Sequence, residues 1–107
     1  MIGIVALLAG CSQPAADIES QIDALYDKMS MEERIAQLRS GYMDELFDSE
    51  GNLDTALCRQ MIPYGIGHFS QYASQKPTDP NVLRDRVAAM QDWLMRNTPN
   101  GIPALFH

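Results

Sequence analysis

The stretch of residues 65–107 constrains the fold of this chain more than any other, because its pattern is strand, helix, strand. Residues 65–70 form a brief run bounded by Pro63 and a polar segment, which is typical of a buried parallel strand. Pro80 follows an N-capping aspartate and opens a helix. Residues 102–107 are predicted to be extended, since the residue before Pro103 is pushed out of the helical region. The pattern predicts a βαβ unit and an α/β fold. The apolar face of its helix carries Leu83, Val87, Met90 and Leu94.

The N-terminal residues 1–11 are apolar and end in Leu8-Ala9-Gly10-Cys11, which resembles the lipobox of bacterial lipoproteins. The run is too short to cross a bilayer of roughly 30 Å and fits the apolar part of a signal peptide, although no Lys or Arg precedes it. The resemblance implies a signal peptide over 1–11, lipid attachment at Cys11 and anchoring in the cell envelope, at the outer membrane or in the periplasm. The alternative is a core segment with an ordinary buried cysteine.

Three helices are predicted before the βαβ unit. Residues 12–28 hold a polar spacer and a first helix with apolar side chains at helical spacing. Ser30 and Glu33 have the S-x-x-E spacing of a capping box, which starts a second helix. We expect Ile35 and Leu38 on its buried side and Ser40-Gly41 at its end.

The acidic side chains of these helices are expected to be solvated, as the interleaved charges of Glu32-Glu33-Arg34 and Arg84-Asp85-Arg86 indicate. Residues 42–52 are predicted to form an acidic loop that ends in a turn. Asp54 then caps a short helix that Pro63 ends.

Charge and cysteine content exclude several classes of site. A net charge of −6 and a pI near 4.6 argue against nucleic acid, because phosphate binding needs clustered Lys and Arg. Cys11 and Cys58 are too few and too far apart for a disulfide framework or a zinc site, so no metal is predicted. Cys58 is expected to pack as a small apolar residue.

Four segments, taken in order, resemble glycoside hydrolase family three. Residues 29–38, M-S-M-E-E-R-I-A-Q-L, resemble the family's M-T-x-E-E-K-I-x-Q-M opening. The strand at 65–70, the pair Met90-Gln91 and the G-I-P-A-L-F of residues 101–106 then match the family's order. The resemblance implies that residues 29–107 begin a (β/α)8 TIM-type barrel and leave it incomplete, since such a barrel takes about 250 residues.

The same resemblance implies a retaining, exo-acting β-glycosidase, with β-glucosidase ranked first and β-xylosidase second. Its substrate would be a β-linked oligosaccharide or glycoside, and no cofactor is needed. The family's nucleophile and acid/base would lie beyond His107, so no catalytic residue is expected in this chain, which alone should be inactive. The alternative is a small acidic surface lipoprotein that acts as a binding or structural module, which would leave the βαβ pattern unexplained.

Barrel enzymes carry their function at the carboxyl ends of the strands. This rule selects Ser70 and His107 as candidates for the wall of the substrate pocket, against a plain structural role for His107. His68 is expected to be a hydrogen-bonded histidine of the core or of the shell around the site.

Overall fold

The computed structural model describes residues 15–70 and 79–107, with side chains from residue 17 onward. The predicted signal segment 1–11, including Cys11, lies outside these residues. The elements in chain order are helix α1 (Ala15–Lys28), helix α2 (Met31–Ala36), strand β1 (Ser40–Tyr42), a 3₁₀ helix (Met43–Leu46), helix α3 (Thr55–Met61), strand β2 (His68–Ser70), helix α4 (Pro80–Asn97) and strand β3 (Leu105–Phe106).

The three strands form one parallel sheet in the order β1-β2-β3. The sequence predicted only two of them, and that count was wrong. Strand β1 was missed because Ser40-Gly41 resembles a helix stop, whereas α2 ends at Ala36 and a turn of residues 37–39 leads into the strand. A strand of three residues is also too short to show an alternating pattern.

The core lies between one face of this sheet and helices α3 and α4. Its largest fully buried side chains are Phe69, Ile66, Met90, Leu94 and Cys58. Burial, with a smaller contribution from the nearby Asp54 carboxylate, raises the pKa of the Cys58 thiol to about 11. The thiol is therefore protonated at neutral pH, and the prediction that Cys58 packs as an apolar residue is confirmed.

Helix α4 follows its sequence prediction closely. The Asp79 carboxylate accepts a hydrogen bond from the Asn81 N–H at 2.7 Å, and Pro80 occupies the first turn. Met90 and Leu94 are fully buried. The helix ends where the Thr98 hydroxyl donates to the Leu94 carbonyl at 2.6 Å.

Helix α2 confirms the capping box but reverses the predicted buried side. The Glu33 N–H donates to Ser30 Oγ at 3.1 Å, and Glu33 Oε2 accepts from the Ser30 N–H at 2.9 Å. Ile35 and Leu38, expected to be buried, are 55% and 87% exposed, whereas Glu33 and Ala36 are buried. The Ala36 carbonyl accepts a hydrogen bond from the Gly67 N–H at 3.1 Å, which brings the end of α2 against the chain that enters β2.

The segment predicted as an acidic loop is more ordered than its composition indicates. The 3₁₀ helix buries Met43 and Leu46, and residues 48–52 form the expected turn. The Asp48 carboxylate holds that turn by accepting from the N–H groups of Glu50 and Asn52, each at 2.9 Å. Two buried apolar side chains thus anchor this segment, although its acidic composition predicted a solvated loop.

Arg86 corrects the expectation of a solvated Arg84-Asp85-Arg86 face. Arg84 and Asp85 are exposed and paired to each other. Arg86 is half-buried, lies 3.5 Å from the Asp44 carboxylate, and places its guanidinium over the Phe47 ring. It therefore links α4 to the 3₁₀ helix.

Gln91 fixes the approach to β3. Its Nε2 donates to the Ala104 carbonyl at 2.7 Å, and its Oε1 accepts from the Ala104 N–H at 2.9 Å. A side-chain amide is suited to this role because it offers a donor and an acceptor to one residue's backbone.

Replacing Gln91 with glutamate should therefore destabilise the chain by about 1–3 kcal/mol, because the Ala104 carbonyl would lose its donor and face a carboxylate oxygen. Urea unfolding followed by circular dichroism would measure the change. Gln60→Glu, at an exposed position of α3, is the matched control and should change stability little. Equal losses in the two variants would contradict the prediction.

Candidate functional site

The face of the sheet opposite the core carries polar side chains, and two of them, Ser70 and His107, lie at the carboxyl ends of β2 and β3. Side chains alternate along a strand, so Phe69 points into the core while its neighbours His68 and Ser70 lie on the other face. Ser40 pairs with His68 in the parallel register and joins this face. We call Ser40, His68, Ser70 and His107 the polar face.

Hydrogen bonds and ring stacking connect the four residues. Ser40 Oγ lies 2.9 Å from His68 Nδ1 and 3.4 Å from Ser70 Oγ. His68 Nε2 contacts His107 Nδ1, and the two imidazole rings stack with centroids 4.4 Å apart and planes inclined by 21°. The His107 N–H donates to the Phe69 carbonyl at 3.3 Å, which continues the β2–β3 pairing past the end of β3. The polar face is thus one connected array built on all three strands.

The structure places both predicted pocket residues, Ser70 and His107, on this polar face, and their role in binding stays a prediction. His68 is half-buried and hydrogen-bonded, as expected of a residue in the shell around a site. Ser40 was missed because the strand that carries it was missed. Ser40 could have been found only by recognising in the sequence a third parallel strand that contains it.

The chemistry of the polar face is that of hydrogen bonding. Hydroxyls and imidazoles can both donate and accept, which suits ligands rich in hydroxyl groups. A retaining glycosidase needs two carboxyl groups about 5–5.5 Å apart, and the polar face contains no carboxylate. Its four residues could form a wall of a sugar pocket but could not supply the catalytic pair.

Within residues 15–70 and 79–107, no three or more His, Cys, Asp or Glu side chains gather where they could hold a metal ion. No helix there is both long and apolar enough to span a membrane.

No protein-family model matches this chain. The chain is similar to a protein of Formosa agariphila named "Putative beta-xylosidase", with 34% identity over 98 residues. The match includes 83% of this chain but only 12% of the relative, so the chain spans a small part of that protein's length. The similarity supports a glycoside hydrolase-like relationship.

Proposed function

We propose that this chain forms the opening part of the (β/α)8 barrel of a retaining, exo-acting β-glycosidase, with residues 29–107 beginning the barrel domain of glycoside hydrolase family three. The observation that carries the proposal is the three-stranded parallel sheet. A helix lies between each pair of consecutive strands, the core lies on one face, and on the opposite face Ser70 and His107 lie at the carboxyl ends of β2 and β3. In a (β/α)8 barrel, this is the end of the strands at which substrate binds.

The open edges of the sheet support the proposal that this chain is part of a larger barrel. Within the described residues, β1 and β3 each have one unpaired edge, and the face opposite the core leaves Tyr42 and Leu105 48% and 73% exposed. Open edges and an uncovered face are unfavourable for a sheet that stands alone, and further strands of a barrel would cover them.

The proposed substrate is a β-linked oligosaccharide or glycoside, cleaved at its non-reducing end. The sequence ranked glucosides above xylosides, and the name of the Formosa agariphila relative reverses that order in favour of xylosides. The reaction proceeds with retention through a covalent glycosyl-enzyme intermediate formed on a carboxylate. The polar face contributes hydrogen bonds to sugar hydroxyls, and the catalytic carboxylates come from residues other than these four.

The first test of this proposal is to read the DNA sequence of the gene. Beyond the His107 codon, we expect an acidic residue within a few positions and then the remainder of a barrel domain. The complete gene product should hydrolyse nitrophenyl β-xyloside or β-glucoside, and NMR of the first-formed sugar should show retained anomeric configuration.

The 107-residue chain is the control in these assays and should release no nitrophenol. Turnover by the chain alone, or inversion by the complete product, would show that the proposal is wrong. A stop codon directly after His107 would favour the small surface lipoprotein instead.

We also propose that residues 1–11 are a signal peptide and that Cys11 carries lipid, which would hold the protein in the cell envelope. Stable anchoring takes more than one acyl chain, as in the lipoprotein class that the segment resembles. Mass spectrometry of the mature N-terminus from a bacterial host should show an acylated cysteine, and Cys11→Ser should abolish the modification. A wild-type protein that retains Met1 would refute this proposal.

A further inference from the structure

Tyr42 lies on the same side of the sheet as the polar face, at the carboxyl end of β1. It pairs with Ser70 in the parallel register of β1 and β2. The preceding residue, Gly41, faces the core, because a Cβ built there would meet Ile66 Cδ1 at 3.1 Å and Phe69 Cε1 at 3.9 Å. Side chains alternate along a strand, so Tyr42 lies on the opposite face, beside Ser70.

The ring of Tyr42 is open to solvent, with 48% of the residue exposed. Two other tyrosines in the described part of the chain are comparably exposed, but their surroundings differ. The Arg34 guanidinium covers the ring of Tyr26, at 3.8 Å from the centroid. Tyr64 lies in the turn before β2, at the amino end of the sheet. Among these three, Tyr42 alone presents an uncovered ring at the carboxyl end.

A sugar ring offers two kinds of surface to a protein. Its hydroxyls exchange hydrogen bonds, and its axial C–H groups form apolar faces above and below the ring. The neighbouring oxygens polarise these C–H groups positively, so they are attracted to the negative face of an aromatic ring. Small-molecule pockets accordingly combine aromatic side chains with a few placed polar groups. Tyr42 and Ser70 supply one of each on neighbouring strands.

We propose that Tyr42 is a substrate-binding residue whose ring stacks against the apolar face of a β-linked pyranose, while the Ser70 hydroxyl bonds to a hydroxyl of the same sugar. This inference rests on the proposed glycosidase function and adds to it a residue on β1 and a mode of contact. The ring would contact the sugar before and during bond cleavage alike. Its loss should therefore weaken substrate binding more than it slows the chemical step.

The test is steady-state kinetics of the complete gene product on xylobiose and cellobiose, with the released monosaccharide measured. Disaccharides are used because a nitrophenyl group is itself aromatic and would stack on a tyrosine. Tyr42→Ala should raise KM about five- to tenfold, with kcat changed less than about twofold. Tyr42→Phe, which keeps the ring, should retain the wild-type KM. Tyr42→Leu keeps an apolar side chain without the ring and should behave like Tyr42→Ala.

Tyr64→Ala is the matched control, because Tyr64 is 44% exposed and lies at the other end of the sheet. It should leave both constants unchanged, and circular dichroism of each variant checks that the fold is kept. An active wild-type enzyme whose KM is unchanged in Tyr42→Ala, or fully retained in Tyr42→Leu, would overturn this inference alone. A wild-type product that hydrolyses no β-glycoside would overturn the proposed function and this inference together.

Discussion

Gly67→Ala should destabilise the chain by about 3 kcal/mol or more, which exceeds the usual cost of overpacking. A Cβ at this position would lie 1.8 Å from the Gln37 carbonyl oxygen and 2.6 Å from its carbon. These are backbone atoms, so no side-chain rotation relieves the clash. The Gly67 N–H also donates to the Ala36 carbonyl, so a displaced residue 67 would separate β2 from the end of α2.

Urea unfolding or thermal melting by circular dichroism would measure this loss. Gly41→Ala is the matched control, because Gly41 lies in the neighbouring strand and its added Cβ would meet the movable Ile66 Cδ1 at 3.1 Å. We expect that variant to lose less than about 1 kcal/mol. Similar losses at both positions would contradict the explanation from backbone contact.

Glu33→Gln should produce the second large effect, and that effect should depend on pH. Glu33, expected to be solvated, is only 3% exposed. Its carboxylate accepts from the Ser30 N–H and, through both oxygens at 2.8 and 2.9 Å, from Asn100 Nδ2. A glutamine would present an NH₂ group to one of these donors, which should cost about 1–3 kcal/mol at neutral pH.

The pH dependence follows from the ionisation of Glu33. Burial raises its pKa, but hydrogen bonds from Ser30 and Asn100 outweigh burial and hold the pKa below the ordinary value of 4.5. The stabilisation is therefore fully present above pH 4.5 and is lost as the pH falls through the lowered pKa of the folded state.

Melting temperatures should be recorded from neutral pH to strongly acidic pH. The excess of the wild-type melting temperature over that of Glu33→Gln should decrease as the pH falls below about 4.5. Glu32→Gln, at an exposed neighbouring position, should not reproduce this convergence. A gap between wild type and Glu33→Gln that stays constant into strong acid would contradict the prediction.

The elements that the sequence predicted well are those specified by nearby residues. The start of α4 depends on Asp79 and Pro80, and the start of α2 depends on Ser30 and Glu33. Asp79, Ser30 and Glu33 lie within one helical turn of the backbone groups that they satisfy, and Pro80 acts through its own fixed backbone angle. The helix capped by Asp54 is predictable for the same reason.

The features that sequence reasoning missed depend on distant residues. The buried Glu33 carboxylate is hydrogen-bonded to Asn100, 67 residues away, and the Ala36 carbonyl is hydrogen-bonded to Gly67. The apolar pattern of Ile35 and Leu38 therefore gave the wrong buried side. Strand β1 is held by its pairing with β2, and its three residues alone show no pattern that predicts a strand.

The candidate site was predictable in part. A rule about the ends of parallel strands selected Ser70 and His107 without knowledge of their contacts. The contact of His107 with His68, and the pairing of His68 with Ser40, depend on the register between strands. Strands of two or three residues show too little alternation to assign their register from sequence, and a slip of one residue would place their side chains on the opposite face.

The contact between Glu33 and Asn100 also has a consequence for synthesis of the chain. A ribosome that adds about 5–20 residues per second makes Asn100 roughly 3–13 s after Glu33, because 67 residues separate them. Throughout that interval, the carboxylate at the start of α2 lacks the amide that binds it in the folded chain. The first turn of α2 therefore gains its hydrogen bonds from Asn100 only after α4 has left the ribosome. Folding of the N-terminal part of the chain is thus completed by a residue near its C-terminal end.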